Sequence, residues 1–427
     1  MSGSSFPVSL GLALTVLAVS AVRLPASAPG RIVITGVTIL DPSGAREFSR
    51  PVTVVVDAGH IVAVRPTLPS SARRDAQVIA GRGRFLIPGL WDMHVHVVDA
   101  GEGALGEAVA AGVTGIRDLG GELPVLDAWR RETAAGERVG PLIVRAGPVL
   151  DGTNPEAPQR VTVLDSARAV FVVDSLAALG VDCMKVHASL PRAAFFATLA
   201  EARRRRLPVA AHLPKEVTAA EASDAGAASL EHVAETLIAS AINDPKRPAK
   251  TMAEAIAANR GARGDSLFRK FVANGTWFVP TLVAYRAFVN WPGAAPESRA
   301  RRAAVLDSQI AITGRMHQVG VHLLTGTDFT NSDSGGVRPA DIHDELDFFV
   351  RAGLAPTAAL ACATTGPASF LGMADSLGAI APGMRADLVL LDADPRLDIR
   401  NARKIAAVIA GGRLVRPPPA AAPHGNH

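Results

Sequence analysis

An apolar run, Leu90-Trp91-Asp92-Met93-His94-Val95-His96, ends in two histidines one residue apart, and this spacing constrains the chain more than any other feature. If the run is a β-strand, side chains alternate faces, so His94 and His96 point one way and Met93 and Val95 the other. Taken alone, the pair is more simply a packing feature. Four later segments, however, have the same form, an apolar strand-like run ending in a metal-ligating residue type. They are Val181-Asp182-Cys183-Met184-Lys185, Leu207-Pro208-Val209-Ala210-Ala211-His212, Ser229-Leu230-Glu231-His232 and Val321-His322-Leu323-Leu324-Thr325-Gly326-Thr327-Asp328. In a (β/α)8 barrel, functional residues gather at the carboxyl ends of the strands, where the following loops open. These strand ends would together present His94, His96, Lys185, His212, His232 and Asp328.

The rest of the chain fits such a barrel. Its 427 residues are enough for one large barrel plus a smaller domain, and 48% hydrophobic with 20% charged residues is a soluble globular composition. Short β-runs at 31–35, 37–40, 52–56 and 61–64 are separated by turn signals and predict a small antiparallel sheet. The stretches 386–392, 405–410 and 411–415 read the same way. Between them strand and helix signals alternate, with helices expected near 104–111, 126–135, 191–205, 217–225 and 297–319. Strands are expected at 113–118, 142–146 and 277–282, a long loop at 147–160, and a mixed excursion at 234–275. The fold class is therefore α/β, a (β/α)8 TIM barrel with an additional β domain.

A formal charge of +4 is small for this length, and the run Arg203-Arg204-Arg205-Arg206 closes a predicted helix, where cations suit the carboxyl end of the dipole. No nucleic-acid partner is implied. Two cysteines, Cys183 and Cys362, are too few for a disulfide framework. An apolar stretch at 6–22, followed by Ala26-Ser27-Ala28, predicts a secretory signal peptide over 1–28 and a secreted or periplasmic protein without a stable membrane span after processing. Against it, no Lys or Arg precedes the stretch and Pro29 follows the cut, so an uncleaved anchor stays open. The Pro/Ala-rich tail at 417–427 is expected to be disordered, which leaves His424 and His427 out of any site.

Lys185 is the most telling single residue. The chain has only six lysines, and this one ends an apolar strand inside the proposed barrel, where a lone ammonium is costly without a partner. A structural lysine whose amine reaches the rim is the alternative.

The ordered set His-x-His, Lys, His, His, Asp resembles the amidohydrolase superfamily. Pro88-Gly89-Leu90-Trp91-Asp92-Met93-His94-Val95-His96 precedes it and Ala381-Pro382-Gly383-Met384-Arg385-Ala386-Asp387-Leu388-Val389-Leu390 follows it. More narrowly the chain is similar to the binuclear, imidazolonepropionase-like and Xaa-Pro-dipeptidase-like members, over about 31–415. The resemblance implies a composite β-sandwich from 31–87 and 380–416 beside a barrel at 88–379. It implies two divalent metal ions, with zinc, iron, manganese, nickel and cobalt all compatible with the donors. His94, His96 and Asp328 would hold one ion and His212 and His232 the other, with carbamylated Lys185 and a hydroxide bridging them. Asp328 would be the catalytic residue that moves the proton.

On the substrate side, His187, Arg117, Tyr285 and His343 are candidates, with Arg286 beside them, each having a structural alternative. After Lys185 the chain reads Val186-His187-Ala188-Ser189-Leu190, without the Gly-rich turn common in several peptidase relatives, and its 147–160 loop is its own. The expected function is hydrolysis of an amide bond in a small-molecule substrate, a dipeptide or an N-acyl amino acid. A mononuclear deaminase, a lactonase or ester hydrolase and a non-catalytic scaffold are the alternatives; Lys185 argues against the deaminase, and the complete ligand set against the scaffold. A homo-oligomer is left open.

Overall fold

The computed structural model describes residues 30–42, 50–67, 75–153, 159–330 and 336–415. The expected secretory segment at 1–28 and the expected disordered tail at 417–427 lie outside the described residues. Leu90–Val95, Val113–Asp118 and Leu142–Arg145 pair in parallel. Val149–Asp151, Met184–Val186, Val209–Ala211, Ser229–Glu231 and Trp277–Val279 form a second parallel series in that order. The two series meet through the chain at 142–151 and through the Asp182 amide, which donates to the Arg145 carbonyl. The run 323–329 lies against both ends of this arrangement. Leu324 donates to the Phe278 carbonyl, the Asp328 amide to the His94 carbonyl at 2.7 Å, and the His96 amide to the Phe329 carbonyl. The result is a TIM-barrel-like α/β fold.

These strands are buried on both faces, as runs such as Met184-Lys185-Val186 and Val209-Ala210-Ala211 require; helices cover a parallel sheet, so its strands read as continuous apolar runs. The helices that cover it include Gly103–Ala110, Leu123–Ala135, Arg192–Arg205, Ala219–Asp224 and Pro296–Val319, close to their expected places. The arginine run does end its helix, and Arg206 takes the left-handed cap conformation. No helix among the described residues is long and apolar enough to cross a membrane.

Several elements differ from expectation. Helix Ser166–Ala178 starts at Asp165, whose side chain accepts from the Arg168 amide. The 147–160 loop contains Val149–Asp151 and leads into Arg160–Thr162. The excursion at 234–275 is helical: a π-helix at Val233–Ile238, then Ala239–Ile242, Met252–Arg260 and Ala262–Asn274. Trp277–Val279, the seventh strand when 142–151 is counted once, stops short of the expected 282, because Thr281 turns left-handed and starts the helix Leu282–Val289.

The terminal segments build one eight-stranded sheet. The two expected runs at 31–35 and 37–40 are a single strand, Ile32–Ile39, irregular at Gly36, whose positive φ lets the strand bulge without breaking. The sheet is mixed, not purely antiparallel, since this strand pairs in parallel with Gln77–Ala80 and Phe85–Pro88. From the other end of the sequence, Leu388–Leu391 pairs antiparallel with Phe85–Pro88, which brings the termini together next to the first barrel strand.

Candidate metal centre

The side chains expected at the strand ends converge. Among the described residues, His94, His96 and Asp328 form a group whose ligand atoms all lie within 4.8 Å of one another. Asp328 Oδ1 is 3.4 Å from His94 Nε2 and 3.2 Å from His96 Nε2. Lys185 Nζ lies 3.1 Å from His94 Nε2, and the His232 ring is centred 4.6 Å from that of His94 and 4.8 Å from that of His212. His96, Lys185, His212, His232 and Asp328 line one cavity of about 400 Å³.

The surrounding hydrogen bonds fix which nitrogen His94 and His232 offer. His94 Nδ1 donates to Glu231 Oε2 at 2.8 Å, leaving the Nε2 lone pair toward Lys185 and Asp328. The Thr281 hydroxyl donates its single proton to the Pro280 carbonyl, so it accepts from His232 Nδ1 at 2.7 Å, and Nε2 of that ring is the bare nitrogen. Burial, reinforced by Lys185, pushes His94 down to about 4, and burial with the neighbouring cations takes His212 down to about 2. Both imidazoles are neutral at physiological pH, which is the ligating form. Burial lowers Lys185 to about 8 although Glu231 and Asp328 favour its charge. Asp328 is held well below the usual carboxylate range, because the three surrounding histidines outweigh its burial. Neutral imidazoles at His94, His212 and His232, the tautomers of His94 and His232 being fixed by outer partners, together with an ionised carboxylate and a buried amine fit divalent metal ions.

Sequence reasoning missed the supports behind these residues. Glu231 is fully buried; burial alone would raise it, but Arg117 and its bond to His94 bring it to about 2. Asp92 accepts from the His94 amide and from the amide and hydroxyl of Thr327, clamping the first strand to the run that carries Asp328. Asp118 accepts from the amides of Val97 and Gly120 beneath His96. Asp92 and His94 share a strand face, and Glu231 immediately precedes His232, but only a partner far along the chain distinguishes a support from a surface carboxylate. Three non-glycine residues with positive φ, His232, Thr281 and Asp328, stand at this one place, as strained backbone does at working sites.

The substrate-side candidates separate. His187 and Tyr285 line the cavity, as do Arg160, Glu235 and Gln309, which the sequence did not single out. His187 Nδ1 is 2.9 Å from Asp151 Oδ2, and Arg160 also bonds to that carboxylate. Arg117 is not a substrate residue in this geometry: it is 1% exposed, and its guanidinium is consumed by the Met93 carbonyl, the Ser229 hydroxyl and Glu231 inside the barrel. His343 also turns away, buried on the core face of helix Ile342–Arg351 with Nε2 on the Ala111 carbonyl. Arg286 is paired to Asp341 and Asp344.

The chain is similar to known proteins in sequence and in fold. A dihydroorotase from Carboxydothermus hydrogenoformans is 40% identical over 74 residues, a segment that spans only 16% of this chain and 16% of that enzyme. The crystal structure of a Xaa-Pro dipeptidase with methionine in its active site superposes with a TM-score of 0.71 at 21% identity, covering 90% of this chain and 100% of that one. The structure of a bottromycin amidohydrolase gives a TM-score of 0.69 at 25% identity, covering 90% of this chain and 87% of that one. The model of the amidohydrolase family matches residues 85–415, from the strand that joins the terminal sheet, through all the converging side chains, to the last strand. By that match, the chain belongs to the amidohydrolase family.

Proposed function

We propose that this protein is a binuclear metal-dependent hydrolase that cleaves the amide bond of a dipeptide or an N-acyl amino acid. The observation that carries the proposal is the convergence of His96, Lys185, His212, His232 and Asp328 on one cavity with His94 packed against Lys185 and Asp328 behind its wall, the bare nitrogens of His94 and His232 being set by Glu231 and Thr281. In this reading His94, His96 and Asp328 hold one divalent ion and His212 and His232 the other, zinc being compatible with every donor. Lys185, buried with only the His94 ring nitrogen in hydrogen-bonding reach among the described residues, would supply an anionic oxygen ligand once its amine takes up CO2 and releases a proton. When bound, two such ions lower the pKa of water and polarise a carbonyl. Asp328 accepts the proton of the attacking water and returns it to the leaving nitrogen, a role open to an ionised carboxylate at the cavity wall. The similarity to a Xaa-Pro dipeptidase and a bottromycin amidohydrolase supports the amide substrate.

The same proposal takes the parallel runs as one closed (β/α)8 barrel over 88–379, and the terminal strands of 31–87 and 380–416 as a composite β-sandwich. The test is to measure metal content and to assay the purified, metal-loaded protein against dipeptides and N-acyl amino acids. We expect about two divalent ions per chain and loss of most turnover in both His94→Ala and His212→Ala. Full activity in both variants would remove the metal assignment.

A further inference from the structure

The cavity is chemically two-sided. Arg160 starts the edge strand Arg160–Thr162 beside Val149–Asp151 and His187 follows Met184–Val186, whereas Glu235, Tyr285 and Phe288 follow Ser229–Glu231 and Trp277–Val279; the His212 strand separates the two groups. On the first side Asp151 partly neutralises the basic groups. On the second side Glu235 is exposed to the cavity, three residues beyond His232 on the π-helix Val233–Ile238. π-Helical turns are rare and re-aim side chains at functional sites. Burial lifts the Glu235 carboxyl above its ordinary value and Asp328 lifts it further, with no cation of the described residues among the charges acting on it.

A second observation points to a ligand at the same side. Helix Pro296–Val319 packs against this π-helix and brings Gln309 to the cavity wall. Gln309 is only 1% exposed, and its side-chain amide nitrogen has no hydrogen-bond partner among the described residues. A buried donor left unpaired is costly unless a ligand supplies the acceptor.

We propose that Glu235 is a specificity-determining residue that binds the free α-ammonium of the substrate's acyl half, with Gln309 donating to a substrate oxygen beside it, so that the cavity selects unblocked dipeptides over N-acyl amino acids. The inference rests on the amide-hydrolase reading and narrows it. A scissile carbonyl next to Asp328 has the α-ammonium one carbon away, on the side where Glu235 follows His232. The carboxylate of the leaving amino acid then extends toward Arg160 and His187. An N-acyl amino acid brings no cation to Glu235 and would leave its carboxylate desolvated and unpaired, a penalty that discriminates strongly between otherwise similar substrates.

The test compares kcat/KM for a series of unblocked dipeptides and the N-acetyl derivative of each, in the metal-loaded wild type, Glu235→Gln and Glu235→Asp. The wild type is expected to favour the unblocked member by about tenfold or more, as a charge-assisted bond provides. Glu235→Gln should collapse that ratio, mainly through KM for the unblocked peptides, while Glu235→Asp keeps part of it and the melting temperature of both variants stays with the wild type. Equal use of both members by the wild type, or an unchanged ratio in Glu235→Gln, overturns the proposal. If neither series is cleaved, the hydrolase reading fails, and calorimetry with a non-hydrolysable ketomethylene dipeptide isostere decides on Glu235 separately. Tighter binding of the free-amine isostere than of its N-acetyl form, lost in Glu235→Gln, sustains the amine site; equal binding, or none, removes it.

Discussion

At the scale of single residues, the site is set by what each side chain is prevented from doing. His94 cannot turn its ring because Glu231 holds Nδ1, and Glu231 cannot turn because Arg117 and Ser229 hold its other oxygen. Lys185 is the exception: it is 1% exposed, and among the described residues its amine meets only the ring nitrogen of His94 as a hydrogen-bonding group. A buried ammonium facing an imidazole is a poor arrangement for structure alone. If the amine carries CO2 and joins two ions, Lys185→Ala removes an anionic ligand from both, so metal content and turnover should fall together. The fold should survive, because an alanine at a strand end leaves the barrel layers largely intact. Acetate or propionate added to this variant should then occupy the vacated space and restore part of the activity. A lysine with a purely structural role gives the opposite pattern: a lower melting temperature, nearly normal metal content and no response to added acid. Metal analysis, thermal melting and activity on the one variant separate the two.

At the scale of elements, strand and ligand were legible together because they share one signal. An apolar run that ends in a polar residue is unusual in a strand unless the end opens into a site, so the runs ending at His96, Lys185, His212, His232 and Asp328 pointed both to a barrel-like fold and to the place where these side chains converge. The supports were not legible, since Arg117 reads as a strand-end cation until its partners on the Ser229–Glu231 strand come into contact with it. The π-helix after His232 was hidden for a related reason: local pattern separates helix from strand, whereas an extra residue per turn depends on what the helix packs against. Packing between adjacent strands shows the same dependence. Gly115 on Val113–Asp118 lies against the ring of Trp91, and a Cβ there would come within 2.2 Å of Trp91 Cε2. Trp91 is itself 2% exposed and three residues before His94 on the neighbouring strand. We therefore expect Gly115→Ala to destabilise the protein by about 1–3 kcal/mol, as overpacking of a core does, and to weaken metal retention by shifting the strand that carries His94. Denaturant unfolding and metal content would check this, and unchanged values for both would show that Trp91 has room to move.

At the scale of the whole molecule, the barrel joins charges that lie far apart in sequence, and its stability should therefore depend on pH. Glu345, on helix Ile342–Arg351, is fully buried and accepts from the amides of Leu282 and Val283, the first residues of the helix after the seventh strand. It thus ties helix Ile342–Arg351, the eighth helix in the sense that it follows the eighth strand-like run at 323–329, to the turn that carries Thr281, the residue that fixes His232. Burial raises its carboxyl to about 8, against the lowering effect of those two amides. The unfolded chain titrates this group near the ordinary glutamate value, so folding takes up a proton in the window between that value and about 8. The stability linked to Glu345 is therefore fully present at acidic pH and is lost as the pH rises through that window, by at most about 1.4 kcal/mol per pH unit. Glu345→Gln keeps an acceptor and removes the titration. The expected result is that urea unfolding at successive pH values from 5 to about 8 gives a shallower decline in the variant than in the wild type, so that the variant's relative stability improves as the pH rises. Parallel curves would mean that the two amides keep Glu345 ionised throughout, and that the link between the eighth helix and the Thr281 turn does not depend on pH.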